Sequence, residues 1–423
     1  MVSPKHAPPE ILRVDSERLR RDVQELSRIG LNQEDGGLYR MAFTPADLEG
    51  KAWLRRRLEE AGIASYVDPV GNHFGRLEGS DPDAPAVLIG SHLDTVPCAG
   101  TLDGSLGVIT GLECLRRLKE SGVELRRPVE LVAFSDEEGR FGGMFGSQAF
   151  VGDITPQTLH EATDLDGVRL RDALAACGHD PFKALEARRA RESVHSYLEL
   201  HIEQGPVLDR LHKAVGVVHA ITGLFRWVVR LRGEANHAGT TPMHMRNDAF
   251  MGLADFAHSI PRILDENGRE HSRATIGKAQ ILPGAPNTVP GLVEFSLDVR
   301  DTDATVLDEL RDAFRKSLQA IGRRRSLTFE FEEQSYLSPV RCDPHMVELL
   351  ESHAKALELP YERMPSGAAH DAQMVARIAR TAMIFVPSKG GRSHTPAEWT
   401  DWNDVEVGAN LALLTLRDLA TRS

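Results

Sequence analysis

The stretch Ala86-Val87-Leu88-Ile89-Gly90-Ser91-His92-Leu93-Asp94 changes character halfway: four apolar residues run straight into a turn crowded with polar groups. An unbroken apolar run of this length, without polar alternation, is the signature of a strand buried on both faces, as in a largely parallel sheet covered by helices. Val129-Glu130-Leu131-Val132-Ala133-Phe134 follows the same plan and breaks into Ser135-Asp136-Glu137-Glu138-Gly139. Tyr197 to Ile202 and Ala382 to Val386 read as two further strands. Among these runs, Thr44-Pro45-Ala46-Asp47 supplies an N-cap, a first-turn proline and an acidic third position. It opens a helix with Leu54 and Leu58 on one face, read as the first of the chain. The alternation from about Ala46 to Ile154 defines an α/β domain with a helix-covered, mostly parallel sheet.

The order changes in the middle of the chain. Phe225 to Leu231, Thr275 to Ile281, Leu292 to Val299 and Ser326 to Phe331 read as strands, and Asn247 to Ile263 as a helix. A second helix is marked by Leu307, Leu310, Phe314, Leu318 and Ile321, which recur at steps of three and four. The resulting βαββαβ order predicts an inserted α+β domain, ferredoxin-like, over residues 214–331. The first domain is then discontinuous, over residues 1–213 and 332–423.

Composition narrows the function. The 423 residues suffice for two domains. They carry 62 acidic against 50 basic side chains, a net charge of −12, with no extended basic run, so no nucleic-acid partner is expected. Cys98, Cys114, Cys177 and Cys342 are scattered without a C-x-x-C pair, which fits free thiols in a reducing compartment, and a cytoplasmic location is expected. No apolar run approaches the roughly 18 residues of a membrane span, and Met1 to Pro9 has no signal-like core.

Five polar clusters sit at strand ends or nearby turns: Ser91-His92-Leu93-Asp94, Thr101-Leu102-Asp103-Gly104, Ser135-Asp136-Glu137-Glu138-Gly139, His201-Ile202-Glu203-Gln204-Gly205 and Ser393-His394-Thr395-Pro396. Ligands of open α/β sheets bind at the carboxyl ends of strands. Taken singly, a His-x-Asp is most often a capped turn and a Glu-Glu pair a solvated face. Together the clusters bring three imidazoles and several carboxylates to one edge. So many ionisable groups need a cation to neutralise them, and the donor mix suits Zn²⁺, Mn²⁺ or Co²⁺.

Through Gly90-Ser91-His92-Leu93-Asp94-Thr95-Val96, Asp103-Gly104, Asp136-Glu137-Glu138-Gly139, His201-Ile202-Glu203-Gln204-Gly205-Pro206 and Ser393-His394-Thr395-Pro396-Ala397-Glu398 the chain resembles the di-metal M20 peptidase clan. Within it, the chain is similar to the amidase, hydantoinase and carbamoylase branch, which holds N-carbamoyl-L-amino acid hydrolases, β-ureidopropionases and allantoate amidohydrolases. The motifs run in order from about Gly37 to the C-terminus. The resemblance implies two divalent metal ions, one held by His92, Asp103 and His201, the other by Glu138, His394 and the same Asp103 as a bridge. It makes Glu137 the general base that takes a proton from the water between the metals and passes it to the leaving nitrogen. It makes Asp94 the outer acid that fixes the His92 tautomer. Gln204, His237, Asn287, Arg300 and His370 become substrate-binding residues, with Arg300 suited to a carboxylate and His237 also catalytic. The inserted domain becomes a lid and a dimer contact, so a homodimer is expected, with His237 reaching its own site or the partner's. Having His201 in place of a carboxylate favours the carbamoylase branch. The implied reaction cleaves the C–N bond of an N-carbamoyl-L-amino acid to amino acid, ammonia and CO₂. Allantoate, a 3-ureido acid, or a dipeptide or acylated amino acid remain as alternatives.

Two places depart from the branch. Gly139 is followed at once by Arg140-Phe141-Gly142-Gly143, a shorter loop than many relatives have, and Ala369 stands where glycine is common. Cys98 lies between two of the polar turns and reads as a buried thiol.

Overall fold

The structure, a computed structural model, describes residues 12–422. The disorder expected at the extreme N-terminus falls outside them. The chain forms two compact units: one runs to His219 and resumes over Cys342–Met364 and from His370 onward, and the other comprises Ala220–Arg341 and Pro365–Ala369.

The first unit is built on strands β1 (Ala64–Val67), β2 (His73–Leu77), β3 (Ala86–His92), β4 (Val129–Phe134), β5 (Val194–Ile202), β6 (Val215–Ile221), β7 (Val340–Arg341), β8 (Tyr361–Ser366) and β9 (Arg380–Val386). They order as β1-β2-β4-β3-β5-β9-β6-β7, with β8 also pairing with β6. The four central strands, β4, β3, β5 and β9, are mutually parallel, and they are the four runs whose apolar stretches announced buried strands. The flanks turn antiparallel, where β2 meets β4 and β6 meets β9. Helices Ser105–Ser121 and Trp402–Thr421 pack on the central strands.

The helix Pro45–Glu60 forms as its cap predicts: the Thr44 hydroxyl accepts from Asp47 N, and Leu54 and Leu58 are buried. It is not the first helix, however. Ser16–Leu26 precedes it, capped by Asp15, which accepts from Arg18 N at 2.9 Å. Leu19, Val23 and Leu26 sit on its buried face. The 3–4 spacing was legible, but charged residues fill the rest of the helix, and tertiary packing supplies what propensity does not.

The second unit has an antiparallel sheet in the path Ala279–Leu282, Leu292–Asp301, Gly223–Arg232, Thr328–Leu337, with Arg273–Thr275 also against Leu292–Asp301. Helices Ala249–Asn267 and Ala304–Arg325 pack against it. Phe225, Trp227, Val229 and Leu231 alternate inward and meet Phe256, Leu310, Phe314 and Leu318, the residues of the predicted stripe included. The run read as a single strand, Thr275 to Ile281, is interrupted at 276–278, where the Ser296 hydroxyl accepts from Lys278 N in place of a backbone carbonyl. The strand expected from Ser326 begins instead at Thr328, because Ser326 ends the preceding helix in a left-handed conformation (φ 52°), and it runs on to Leu337. Beside the boundaries read at 214 and 331, the first unit keeps Val215–His219, since β6 pairs with β9 through Val218.

Candidate active site

Parallel neighbours β4, β3, β5 and β9 end at one edge, with His92 opposite Phe134 and His201 opposite Phe385. That register places the polar sequence following each strand beside the others. Asp103 lies at the centre. Its Oδ1 is 3.6 Å from His92 Nε2 and 3.2 Å from His201 Nε2, while its Oδ2 is 3.4 Å from His394 Nε2. His394 Nε2 is in turn 3.5 Å from Glu138 Oε2. Two groups able to hold a cation follow, His92–Asp103–His201 and Asp103–Glu138–His394, sharing Asp103. A carboxylate can serve both because its two oxygens diverge.

The imidazoles are oriented for this. His92 Nδ1 faces Asp94 O at 3.0 Å and His201 Nδ1 faces Ile202 O at 2.9 Å. With Nδ1–H donated to a carbonyl, each Nε2 presents a lone pair toward Asp103. Glu138 Oε1 is buried with no hydrogen-bond donor. The residues therefore fit divalent metal ions: lone pairs and anionic oxygens converge, and one oxygen has no other partner.

Charge gives the same answer. Burial would raise the Asp103 carboxyl, but His201, His394 and His92 outweigh it and hold it well below its ordinary value. Burial pushes Glu137 well up, reinforced by Asp371 and Glu138, and pushes Glu138 up, reinforced by Asp103 and Asp94. Burial disfavours a charged His201, yet Asp103 raises it to about 9. Several buried carboxylates packed against these imidazoles make a centre that favours cations.

Glu137 Oε2 lies 3.5 Å from His92 Nε2, at the mouth of the first group. Gln204 adopts a left-handed backbone (φ 59°), as do Asp136 and His394, so strained residues gather here. Gln204 Nε2 donates to Asp103 Oδ2 at 2.7 Å. Since that carboxylate can only accept, the amide orientation is set, and its Oε1 is left buried without a donor. The His370 ring stands 4.6 Å from that of His201.

Asp94 corrects one expectation. Its carboxylate is 4.0 Å from His92 Nδ1, and it is the Asp94 backbone carbonyl that meets the imidazole. The side chain instead accepts from Glu137 N and Glu138 N, at 3.3 and 3.1 Å. Asp94 thus positions the glutamate pair, because the turn after β4 points two backbone N–H groups at it. The loop after Gly139 is tied down rather than open. Phe141 N donates to Asp136, its ring is buried, and Arg140 binds Ala42 O and Asp164. Cys98 is half-buried where a buried thiol was expected, and it is free, as are Cys114, Cys177 and Cys342.

Sequence reading passed over Glu199 and the task of Glu398. Glu199 is a charged residue inside an apolar strand, which was the available signal. Glu398 accepts from Leu102 N and Asp103 N at 2.8 and 3.1 Å and so holds the Asp103 turn. Gly104 also carries meaning: its φ is 62°, and a Cβ there would lie 2.3 Å from the His92 ring.

In the second unit, His237 and Asn287 come together, since Asn236–His237 pairs with Thr288–Val289 and Ala238 N donates to Asn287 O. His237 Nδ1 accepts from Gly239 N and Thr240 N, at 3.0 and 3.2 Å, which leaves the proton on Nε2. Arg300 is anchored by Asp298 at 2.9 Å and by Gly367 O at 2.8 Å.

The sequence pattern of peptidase family M20/M25/M40 matches residues 88–418, and the chain belongs to that family. It is a metal-dependent hydrolase acting on non-peptide amide bonds. An N-carbamoyl-L-amino acid amidohydrolase of Geobacillus stearothermophilus is 40% identical over 411 residues, 96% of this chain and 99% of that one. An allantoate amidohydrolase of Escherichia coli (strain K12) is 36% identical over 387 residues, 91% of this chain and 93% of that one. A hydantoinase/carbamoylase family amidase from Burkholderia multivorans superposes with a TM-score of 0.90 at 35% identity, over 97% of this chain and 99% of that one.

Proposed function

We propose that the protein hydrolyses N-carbamoyl-L-amino acids to the amino acid, ammonia and CO₂, using two divalent metal ions, Zn²⁺, Mn²⁺ or Co²⁺. The observation that carries the two-ion reading is the shared Asp103. His92, Asp103 and His201 form position one, and Asp103, Glu138 and His394 form position two. Ions bound there would acidify a water and polarise the substrate carbonyl.

Glu137, whose Oε2 lies 3.5 Å from His92 Nε2, is the base beside position one. It takes the proton from water and delivers it to the departing nitrogen. Gln204 Oε1, a buried acceptor without a donor, suits a ureido N–H, which the acyl group of a simple N-acyl amino acid lacks. His370 borders the same carbonyl. Arg300 takes the substrate carboxylate, Asn287 donates to the same group, and His237 donates Nε2–H to the oxyanion. The similarity to the Geobacillus enzyme supports the carbamoyl substrate. Allantoate is the second reading, favoured by the likeness to the Escherichia coli enzyme, with 3-ureidopropionate beside it. The four free thiols support a cytoplasmic location, and we read the protein as a homodimer with no nucleic-acid or membrane partner. Among the described residues no helix is long and apolar enough to cross a membrane.

The test is ammonia release from N-carbamoyl-L-amino acids, allantoate and 3-ureidopropionate by chelator-stripped protein reloaded with each metal. Metal-dependent release that disappears in Glu137→Gln supports the reading. Free amino acid liberated from dipeptides or acylated amino acids, with no ammonia from any of the ureido acids, overturns it.

A further inference from the structure

Glu199 lies on β5 two residues before His201, so strand alternation places Tyr197, Glu199 and His201 on one face. The side chain is fully buried. Its Oε1 accepts from Ser91 Oγ at 2.7 Å, and its Oε2 accepts from Tyr197 OH at 3.2 Å and Ala372 N at 2.9 Å. Ser91 immediately precedes His92. Ala372 follows His370 by two residues and lies in the first turn of the helix Asp371–Val375. One carboxylate therefore joins three separate segments, each carrying an imidazole of the site.

The same group comes within 4.8 Å of ring nitrogens of His201 and His370, a spacing that would also admit a cation. The three donors argue against that use, since both oxygens already accept hydrogen bonds. A carboxylate accepting from two hydroxyls and an amide N–H is a hydrogen-bond hub, and a neutral amide could not accept all three. None of the three donors lies in the segments that carry Glu138 or His394. Those are served by other anions: Asp94 holds Glu138 N, while Glu398 accepts from Ser393 Oγ at 3.2 Å.

We propose that Glu199 is the positioning residue of position one alone, holding β3, β5 and the turn at His370 in register so that His92 and His201 present their Nε2 atoms to the same ion. It acts through these neighbours and touches neither substrate nor metal. The inference rests on the two-ion reading above and adds that Glu199 supports position one without bonding to the segments that carry Glu138 and His394.

The experiment is a Co²⁺ titration of the full, metal-stripped chain, followed by visible absorption and by metal analysis after equilibrium dialysis. Wild type binding two ions per chain upholds the two-ion reading, and binding of one overturns that reading separately. In Glu199→Gln one ion should bind as in wild type and the other about 10- to 100-fold more weakly, the range for lost outer-shell support. Combined with His394→Ala, which removes position two, Glu199→Gln should leave no tight Co²⁺. Two unchanged affinities, or an equal weakening of both, overturn the proposal. Far-ultraviolet circular dichroism of the stripped variant checks folding. If the Gln variant does not fold, Glu199→Asp carries the test: it keeps the charge and withdraws it by one methylene, and the same selective weakening is expected.

Discussion

The two units handle charge in opposite ways. The first buries it: His92, Asp94, Asp103, Asp136, Glu199, His201, His370 and Asp371 are all inaccessible beneath one edge of a sheet whose central strands are otherwise apolar. The second displays it. Arg226–Asp298, Arg230–Glu294 and Arg232–Glu330 pair across neighbouring strands on the face opposite the helices. Buried ionised groups are retained only where partners or ligands offset their desolvation, whereas exposed pairs are worth little and chiefly keep a sheet soluble and in register. The contrast locates the cation-binding cluster in the first unit without reference to any relative.

The comparison can be broken from either side. The largest effect is expected from Glu137→Gln, which should lower kcat by about 10²- to 10⁴-fold. Metal content and melting temperature should stay near wild type, and an active variant would remove Glu137 from the chemistry. In the second unit the loss should come from its core: Phe314→Ala is expected to cost about 3–5 kcal/mol in denaturant unfolding. A smaller change there would mean that the two helices contribute less than their burial implies. Gly104→Ala should cost about 1–3 kcal/mol through its left-handed backbone. It should also weaken metal binding, because the added Cβ displaces the His92 ring, and unaltered Co²⁺ affinity would refute that displacement.

Two finer tests follow. Burial, with Lys51, His179 and Arg55 nearby, pushes His73 down to about 3 from 6.5. Its folded form binds fewer protons than its unfolded form between those values. The stability it contributes is therefore present above about pH 6.5 and lost as pH falls toward 3. His73→Gln should flatten that part of a urea-denaturation pH profile, and parallel profiles would show that other groups set the acid limit. Arg230→Ala, on the open sheet, should leave the melting temperature nearly unchanged, and a large drop would show that the face is covered in the native assembly.

Much of this was legible in the residues. Short, largely apolar runs ending in polar turns named the four parallel strands, because strands buried on both faces admit few polar residues. The stripe Leu307, Leu310, Phe314, Leu318 and Ile321 named a helix face for the corresponding reason. The helix Ser16–Leu26 was missed because its charged residues obscure a short apolar stripe. At the site, the family resemblance nominated His92, Asp103, Glu138, His201 and His394, and the structure brings these five within reach of one another in two groups.

By itself the sequence determined the class of fold, the identity of the polar turns and the kind of chemistry they suit, since these depend on residue type and near-neighbour spacing. The tertiary structure alone decided which atoms face which. Only parallel strand register brings Asp103 between imidazoles far apart in the chain, turns the Asp94 carboxylate toward the glutamate pair instead of His92, and sets Glu199 beneath three segments at once. Such assignments depend on distances of a few ångströms between residues mostly tens to hundreds of positions apart, and local sequence holds no record of those.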